Sequence, residues 1–477
     1  MSSPNFLSSL IREPLSVRIA VLSGGLAALW VLLFTAKPIV GVLILLIGLY
    51  FFFSTHLRFG LYLLVAVGFF HGWEIIFGQY PWAKDIPFLP SVNAPVGDLL
   101  ALLLLVALVP ALCMQLTSWP KVRRIFPGFA WYAAFVCSAF VSLSVMFDHN
   151  LGTGAYHIVR WIIFSYAAFV CIPCAIIGEK ETLERIIRIM VWVGVGTSLF
   201  GLLSIILVPH HGEWFWVVPY AIHGIAPFGY NHNLIAEPLV AIYPLALYVW
   251  LTAKHPAEKQ WYGCGVVLIF LTALLTFSRA AWIGIMLQSS LALAWYSTPL
   301  KAWVKAHWRT VLPLTVVLSM VALYMGFFLT SSVVRSSTSW RIDATKIVGF
   351  YTLRSPLFGY GPGSYLDVFG QTGLFRLEYG DPLDAHGFMQ KVLLEQGLVG
   401  LVCFVGFLGW VLWQLWQTRK NAHGVIYDMM FLSVLGAIVF QLFNTSYFNA
   451  NMWLPIGIAL AARNLYRYGI QEKSDNR

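Results

Sequence analysis

Apolar runs of about 17 to 25 residues recur along the chain, and a run of that length is what a helix needs to cross a bilayer. Window hydropathy places about fourteen of them. They fall near 17–36, 38–53, 59–78, 96–116, 127–147, 157–177, 186–208, 234–252, 261–278, 280–298, 310–330, 392–416, 425–443 and 452–466. Each predicts a helix, because lipid offers no partner to a free backbone N–H or C=O. The expected fold is all-α, a polytopic membrane protein forming a single integral-membrane domain over residues 1–477. The opening MSSPNFLSSLIREPLSVRIA lacks a small-residue cleavage site, which predicts an uncleaved first span. One long polar interruption, 331–391, breaks the ladder and predicts a large loop on one side, with an apolar helix resuming near Lys391.

Composition agrees with this pattern and removes the soluble alternatives. Hydrophobic residues make up 59% and charged residues only 10%, with a mean hydropathy of +0.76. An average chain carries about 25% charged residues. In a soluble protein a net charge of +10 would suggest nucleic acid; here Lys and Arg sit between apolar runs, where they set topology. With both termini cytoplasmic, the inner side receives Arg58, Lys121, Arg123, Arg124, Lys180, Arg185, Arg188, Lys254, Lys259, Lys301, Arg419, Lys420 and Arg463. The loops at 148–156, 209–233 and 444–451, placed outside, contain no Lys or Arg. That alternation is the positive-inside rule at work.

The exceptions carry the chemistry. Arg279 and the cations of 331–391, among them Arg341, Arg354 and Arg376, fall on the side that disfavours them, and an anionic ligand is a reason for their being there. His386 follows the basic loop directly. A histidine there is either a base or a helix-entry residue bonding backbone. Arg160 lies within the sixth run, so it is a candidate by position, or the partner of Glu237 or Glu74. The outer loop 209–233 holds His210, His211, His223 and His232. No HxH or HxxxH pair occurs among them, so aromatic packing at the interface is preferred to a metal. Cys171 and Cys174 form a CxxC inside a run without further ligands, and no metal or redox centre is expected from it. Tyr351, Tyr360, Tyr365 and Tyr379 offer ring faces for sugars or for packing the loop on the bilayer.

Several segments taken in order resemble one family. TFSRAAWIG (Thr276–Gly284), GYNHNLIAE (Gly229–Glu237), WRIDA, the turn RSPLFGYGPGSY, and HGFMQKVLLEQGLVGL resemble the bacterial O-antigen ligase and O-antigen polymerase superfamily. These are integral-membrane glycosyltransferases of the GT-C type. The resemblance is most specific over 276–401. It implies that Arg279 and Arg341 contact the pyrophosphate of an undecaprenyl-linked donor, and that His386, ahead of Glu395-Gln396-Gly397-Leu398-Val399-Gly400, is required for transfer. The family usually has Asn after that histidine; here Gly387 stands in its place.

The chemistry is consistent with such an assignment. Cleaving a sugar–phosphate bond releases an anion, and guanidinium forks match phosphate oxygens bidentately. The attacking hydroxyl needs a base, and displacement in line inverts the anomeric centre. Arg354, His232 and Arg160 are the second-tier substrate-binding candidates. Asp381 and Asp384 form a DxxD beside Pro382 and not a DxD, so neither metal nor other cofactor is expected.

The expected function is periplasmic transfer of undecaprenyl-diphosphate-linked saccharide by an inner-membrane polymerase. The alternative is a ligase that delivers the glycan to lipid A core or another acceptor. Chain-length regulator and flippase proteins are the expected partners, with no nucleic acid. A transporter of lipid-linked oligosaccharide is the rival from another class. It would show paired half-repeats and cations in a central cavity rather than in one outer loop.

Overall fold

The computed structural model describes residues 38–70, 72–76, 93–115, 119–145, 151–208, 215–297, 305–306, 308–373, 384–446 and 449–475. In chain order its helices are α1 (Pro38–Thr55), α2 (Leu57–Val67), α3 (Val96–Gln115), α4 (Trp119–Ile125), α5 (Phe129–Val145), α6 (Leu151–Ile176) and α7 (Lys180–Leu207). They continue with α8 (His232–Thr252), α9 (Pro256–Leu275), α10 (Arg279–Trp295), α11 (Trp308–Leu329), α12 (Ser332–Arg354), α13 (Tyr365–Gly370), α14 (Phe388–Ala422), α15 (Val425–Gln441) and α16 (Ala450–Asp475). Among the described residues the non-helical regular structure is one antiparallel ribbon, β1 (Glu74–Ile76) paired with β2 (Asn93–Pro95). The protein is all-α in class. The expected span 17–36, together with His210, His211, Arg376, Tyr379 and Asp381, lies outside the described residues.

Among the described residues five helices are long and apolar enough to cross a membrane, and six if α1 and α2, bent by 111° at His56, are one broken span. The fourteen spans expected from hydropathy are thus not established. The helices over 127–147, 280–298 and 425–443 have 17 residues each, at the lower limit for a crossing. The expected span 59–78 differs for a visible reason. Its helix stops at Val67, and Gly72 lies against a neighbouring loop and donates its N–H to the Pro227 carbonyl at 3.0 Å. A Cβ on Gly72 would come within 2.2 Å of the Ala226 carbonyl, so the apolar run past Val67 is a packed turn.

The core forms around α8. From Ile235 to Ala246 every residue of this helix is buried, including Glu237, whose carboxylate is held by Gln441 and by Ser446 Oγ at 2.5 Å. A carboxylate in that setting stays only because donors surround it. On the lipid side, apolar side chains such as Trp192, Leu203, Ile206 and Trp413 stand exposed.

Two features distinguish the upper part of the bundle. The stretch expected as loop begins with α12, a 23-residue helix capped by Ser331, whose hydroxyl accepts the Val334 N–H at 3.4 Å. Trp340, Ala344 and Val348 recur at four-residue spacing and pack on Tyr365, Val368 and Phe369 of α13 and Leu394 of α14. Large side chains buried away from water contribute about 1.5–3 kcal/mol each, so this small core fixes α12 in place.

The second feature is a break in α14. Gly397 takes φ 66°, ψ −165° and interrupts the helix, freeing carbonyls before it and amides after it. The turn between α12 and α13 fills the gap. Tyr360 and Gly361 donate N–H to the carbonyls of Leu394 and Glu395 at 2.9 and 2.8 Å, while Leu398 and Val399 donate to Pro356 and Leu357 at 2.8 and 3.2 Å. The hydroxyl of Ser142 on α5 sits between the carbonyls of Phe358 and Glu395 and accepts the Gly361 N–H at 3.1 Å. The turn and the helix are therefore sewn into one body.

Candidate functional site

Three helices begin at one place. His232 is the first residue of α8, Arg279 the first of α10, and His386 stands two residues before α14. A helix N-terminus presents free N–H groups and a partial positive charge, so three together favour an anion. The turn TFSR reaches this position through Phe277, whose φ of 55° is unusual for a side-chain-bearing residue. Packing compensates the strain: Phe277 is buried with Leu274, Trp282 and Phe328.

Arg341, on α12, completes the group. His386 is close enough to feel the charges of Arg341, Arg279 and Asp384 and the ring of His232; Arg341 in turn faces Arg279 and His232. Arg279 donates from Nη1 to Thr338 Oγ1 at 2.9 Å and from Nη2 to Ser337 Oγ at 3.1 Å. Both hydroxyls lie one turn before Arg341 on α12, so α12 orients one guanidinium while carrying the other. Arg341 Nε is buried and has no hydrogen-bond partner among the described residues. A buried donor left open costs free energy unless a ligand takes it up.

The aromatic surroundings hold the rings. Trp340 packs edge-on against His386 with centroids 4.5 Å apart, and Trp216 stacks on His232 at 5.2 Å. Burial, and then the charge of Arg341, push the His386 imidazole down to about 4, with Asp384 opposing. Burial first and then Arg279 bring the Arg341 guanidinium down to about 10. The site is thus two cations around an uncharged imidazole at neutral pH.

Gly387 also finds its explanation. A Cβ there would sit 2.4 Å from the Leu442 carbonyl, so the backbone of the α15–α16 connection occupies the space a larger residue needs. A larger residue such as Asn would meet that carbonyl, and the side chain that packs on His386 is Trp340.

Of the second-tier residues, His232 joins the group; Arg354 and Arg160 do not. Arg354 ends α12 exposed, its guanidinium 4.2 Å from its own helix's Phe350 ring, and among the described residues no ion pair to Asp367 forms. Arg160 is paired with neither Glu237 nor Glu74; its Nη2 lies 2.7 Å from Asp98 of α3 in a buried ion pair, and Tyr156 accepts from it at 3.2 Å. Tyr365 is buried under α12 rather than open to a sugar. Among the described residues no three His, Cys, Asp or Glu side chains gather to hold a metal ion.

Sequence reading missed Ser337, Thr338 and the Asp384–Lys391 pair. With 331–391 taken as loop, the four-residue relation of Ser337 to Arg341 could not be seen. The periodicity of Trp340, Ala344 and Val348 was the available signal.

Fold and geometry together describe a multi-pass helical membrane protein with Arg279, Arg341, His232 and His386 gathered at one end of its bundle. Residues 264–405 match the family model described as O-antigen ligase, a stretch that contains Arg279, Arg341 and His386. The match supports the O-antigen ligase/polymerase superfamily over that stretch, and with it an enzyme of the ligase or polymerase type. No curated protein matches the chain at a significant level.

Proposed function

We propose that the protein transfers saccharide from an undecaprenyl-diphosphate-linked donor, on the periplasmic face of the bacterial inner membrane, as a polymerase of glycan repeat units. The observation that carries this reading is the meeting of two guanidiniums and three helix N-termini around His386, with Arg341 Nε unpartnered among the described residues. A diphosphate is the anion such a site would suit.

The step balances without a further reactant. The acceptor hydroxyl gives its proton to His386, and its oxygen bonds to the anomeric carbon. The sugar–phosphate bond breaks on the opposite side, its electron pair leaving on the lipid diphosphate, so the anomeric centre inverts. Arg279 and Arg341 meet the charge as it develops, each a donor of the kind worth about 2.7–4 kcal/mol. Base catalysis adds about 10²–10⁴-fold. His232, near Arg341, and the Ser337 hydroxyl, bonded to Arg279, would serve as further polar contacts to the diphosphate.

The orientation rests on charge. α14 runs from the His386 end to Arg419 and Lys420 at the other, where Arg463 and Arg124 also gather through Gln414 and Asn464. By the positive-inside rule that basic end is cytoplasmic, which makes the site end periplasmic.

The same donor chemistry would serve a ligase acting on lipid A core. A deletion strain separates the two: loss of polymerised glycan with single repeat units still attached supports the polymerase. Free polymer that never reaches its acceptor identifies the ligase.

A further inference from the structure

We propose that Asp384 is a positioning residue for His386, a carboxylate held two residues upstream to balance the charge that the imidazole acquires between two guanidiniums; this rests on the reading of His386 as the base. Its place is fixed by geometry. Lys391 Nζ donates to both carboxylate oxygens, at 2.8 and 2.7 Å, and the Ala385 N–H donates to Oδ1 at 2.9 Å. Lys391 is only 7% exposed and sits on the first turns of α14, so it clamps the carboxylate to the helix that follows His386.

The charges around the imidazole explain the need. Arg341 faces it from α12, Arg279 from the start of α10 and His232 from the start of α8; Asp384 is the acid that opposes them among the described residues. When the acceptor hydroxyl releases its proton, the imidazole becomes a cation beside two others. Asp384 offsets that cost throughout, and the donor diphosphate only while it is bound. The Lys391 clamp holds the carboxylate against α14 and stops it from turning to Arg341 or Arg279, where it would close the anion site.

The test uses the full-length protein in nanodiscs, with transfer measured against pH for wild type, Asp384→Asn, Asp384→Glu and His386→Ala. Asp384→Asn should lower kcat about tenfold, the equivalent of one unit of imidazole basicity, with the donor KM unchanged and the acid limb of kcat moved to lower pH. Modification of His386 by diethyl pyrocarbonate, read by mass spectrometry with inorganic pyrophosphate present, should show the same shift independently of turnover. Asp384→Glu keeps the charge and should keep the limb, at reduced kcat. If Asp384→Asn does not reach the membrane, Asp384→Glu decides the matter, and an acid limb of kcat displaced in it by about a pH unit overturns the inference. An Asp384→Asn protein with unaltered kcat and limb also overturns it while His386→Ala is inactive. An active His386→Ala instead removes the base assignment beneath it.

Discussion

Gly361 donates its amide to the carbonyl of Glu395 at 2.8 Å, across the gap that Gly397 opens in α14. Through this bond and its neighbours the turn after α12 replaces the missing rungs of the helix. Arg341, on α12, and His386, at the head of α14, are thereby held in one body. Backbone pairing thus adds to the side-chain core around Trp340 in setting the distance from Arg341 to His386. The fit requires two glycines: a Cβ at Gly359 would meet the Leu394 carbonyl oxygen at 2.4 Å, and one at Gly397 would meet Leu357 at 2.4 Å, both at positive φ.

Gly397→Ala and Gly359→Ala are therefore expected to destabilise the protein, by about 1–3 kcal/mol from the backbone conformation alone and more from the clash. Thermal unfolding in detergent measures this. Ser142→Ala removes the hydroxyl that joins α5 to the same body, and should cost about 0.5–1.5 kcal/mol, because Gly361 and Glu395 lose this bond but keep the one to each other. Unaltered melting in all three would mean that the turn and the break do not depend on each other.

These residues show what was legible in the chain. The apolar periods marked most of the observed helices, and Arg279, Arg341 and His386 stood out as cations and a histidine where topology disfavours charge. The turn PLFGYGPG and the helix EQGLVG were read as two motifs; they are one hydrogen-bonded unit, and backbone pairing of that kind leaves no period in the sequence. Gly387 looked like a weakness for the same reason, since the Leu442 carbonyl that demands it lies 55 residues on (442 − 387). Asp98, the true partner of Arg160, was hidden because both sit in apolar runs whose packing only the fold decides.

Replacing either site arginine should stop transfer without removing the protein from the membrane. Arg279→Ala and Arg341→Ala are each expected to lower the rate about 10²–10³-fold, as loss of one donor at a developing anion does. Lys should restore little, because an ammonium cannot keep both Thr338 and Ser337 engaged while meeting a phosphate. Wild-type rates in both alanine variants would contradict a diphosphate role.

Arg160 should behave as a structural residue. Arg160→Met strands the Asp98 carboxylate in a buried setting, which costs about 3–5 kcal/mol, and Asp98→Asn in the same chain should recover part of it. Transfer per folded molecule should stay near wild type in the double variant. A folded double variant without activity would return Arg160 to the substrate.

Topology can be checked with single cysteines. Ser336→Cys and Gln371→Cys should react with an impermeant maleimide added to intact cells, and Lys420→Cys should not. Ser336 and Lys420 are both exposed and lie toward opposite ends of the bundle by the course of α12 and α14. Labelling at Lys420 alone would invert the protein and place its site in the cytoplasm.

The pH dependence of transfer distinguishes a buried base from an ordinary histidine. His386 must be neutral to take the acceptor's proton. Burial and the arginines favour that neutral form, so it persists until the pH falls to about 4. The acid limb of kcat/KM, which reports the free enzyme, should therefore lie near 4, and the rate should be flat from there to neutrality. With the donor bound, its negative charges sit beside the same imidazole and favour the protonated form. The acid limb of kcat should accordingly lie at higher pH than that of kcat/KM. His386→Ala should lower turnover by about 10²–10⁴ with little change in donor binding. Activity unaffected by EDTA would fit this proton transfer; loss with EDTA and recovery with Mg²⁺ or Mn²⁺ would assign the activation to a metal. A kcat/KM limb near the ordinary histidine value would show that His386 is not enclosed by Arg341 and Arg279 in the working enzyme.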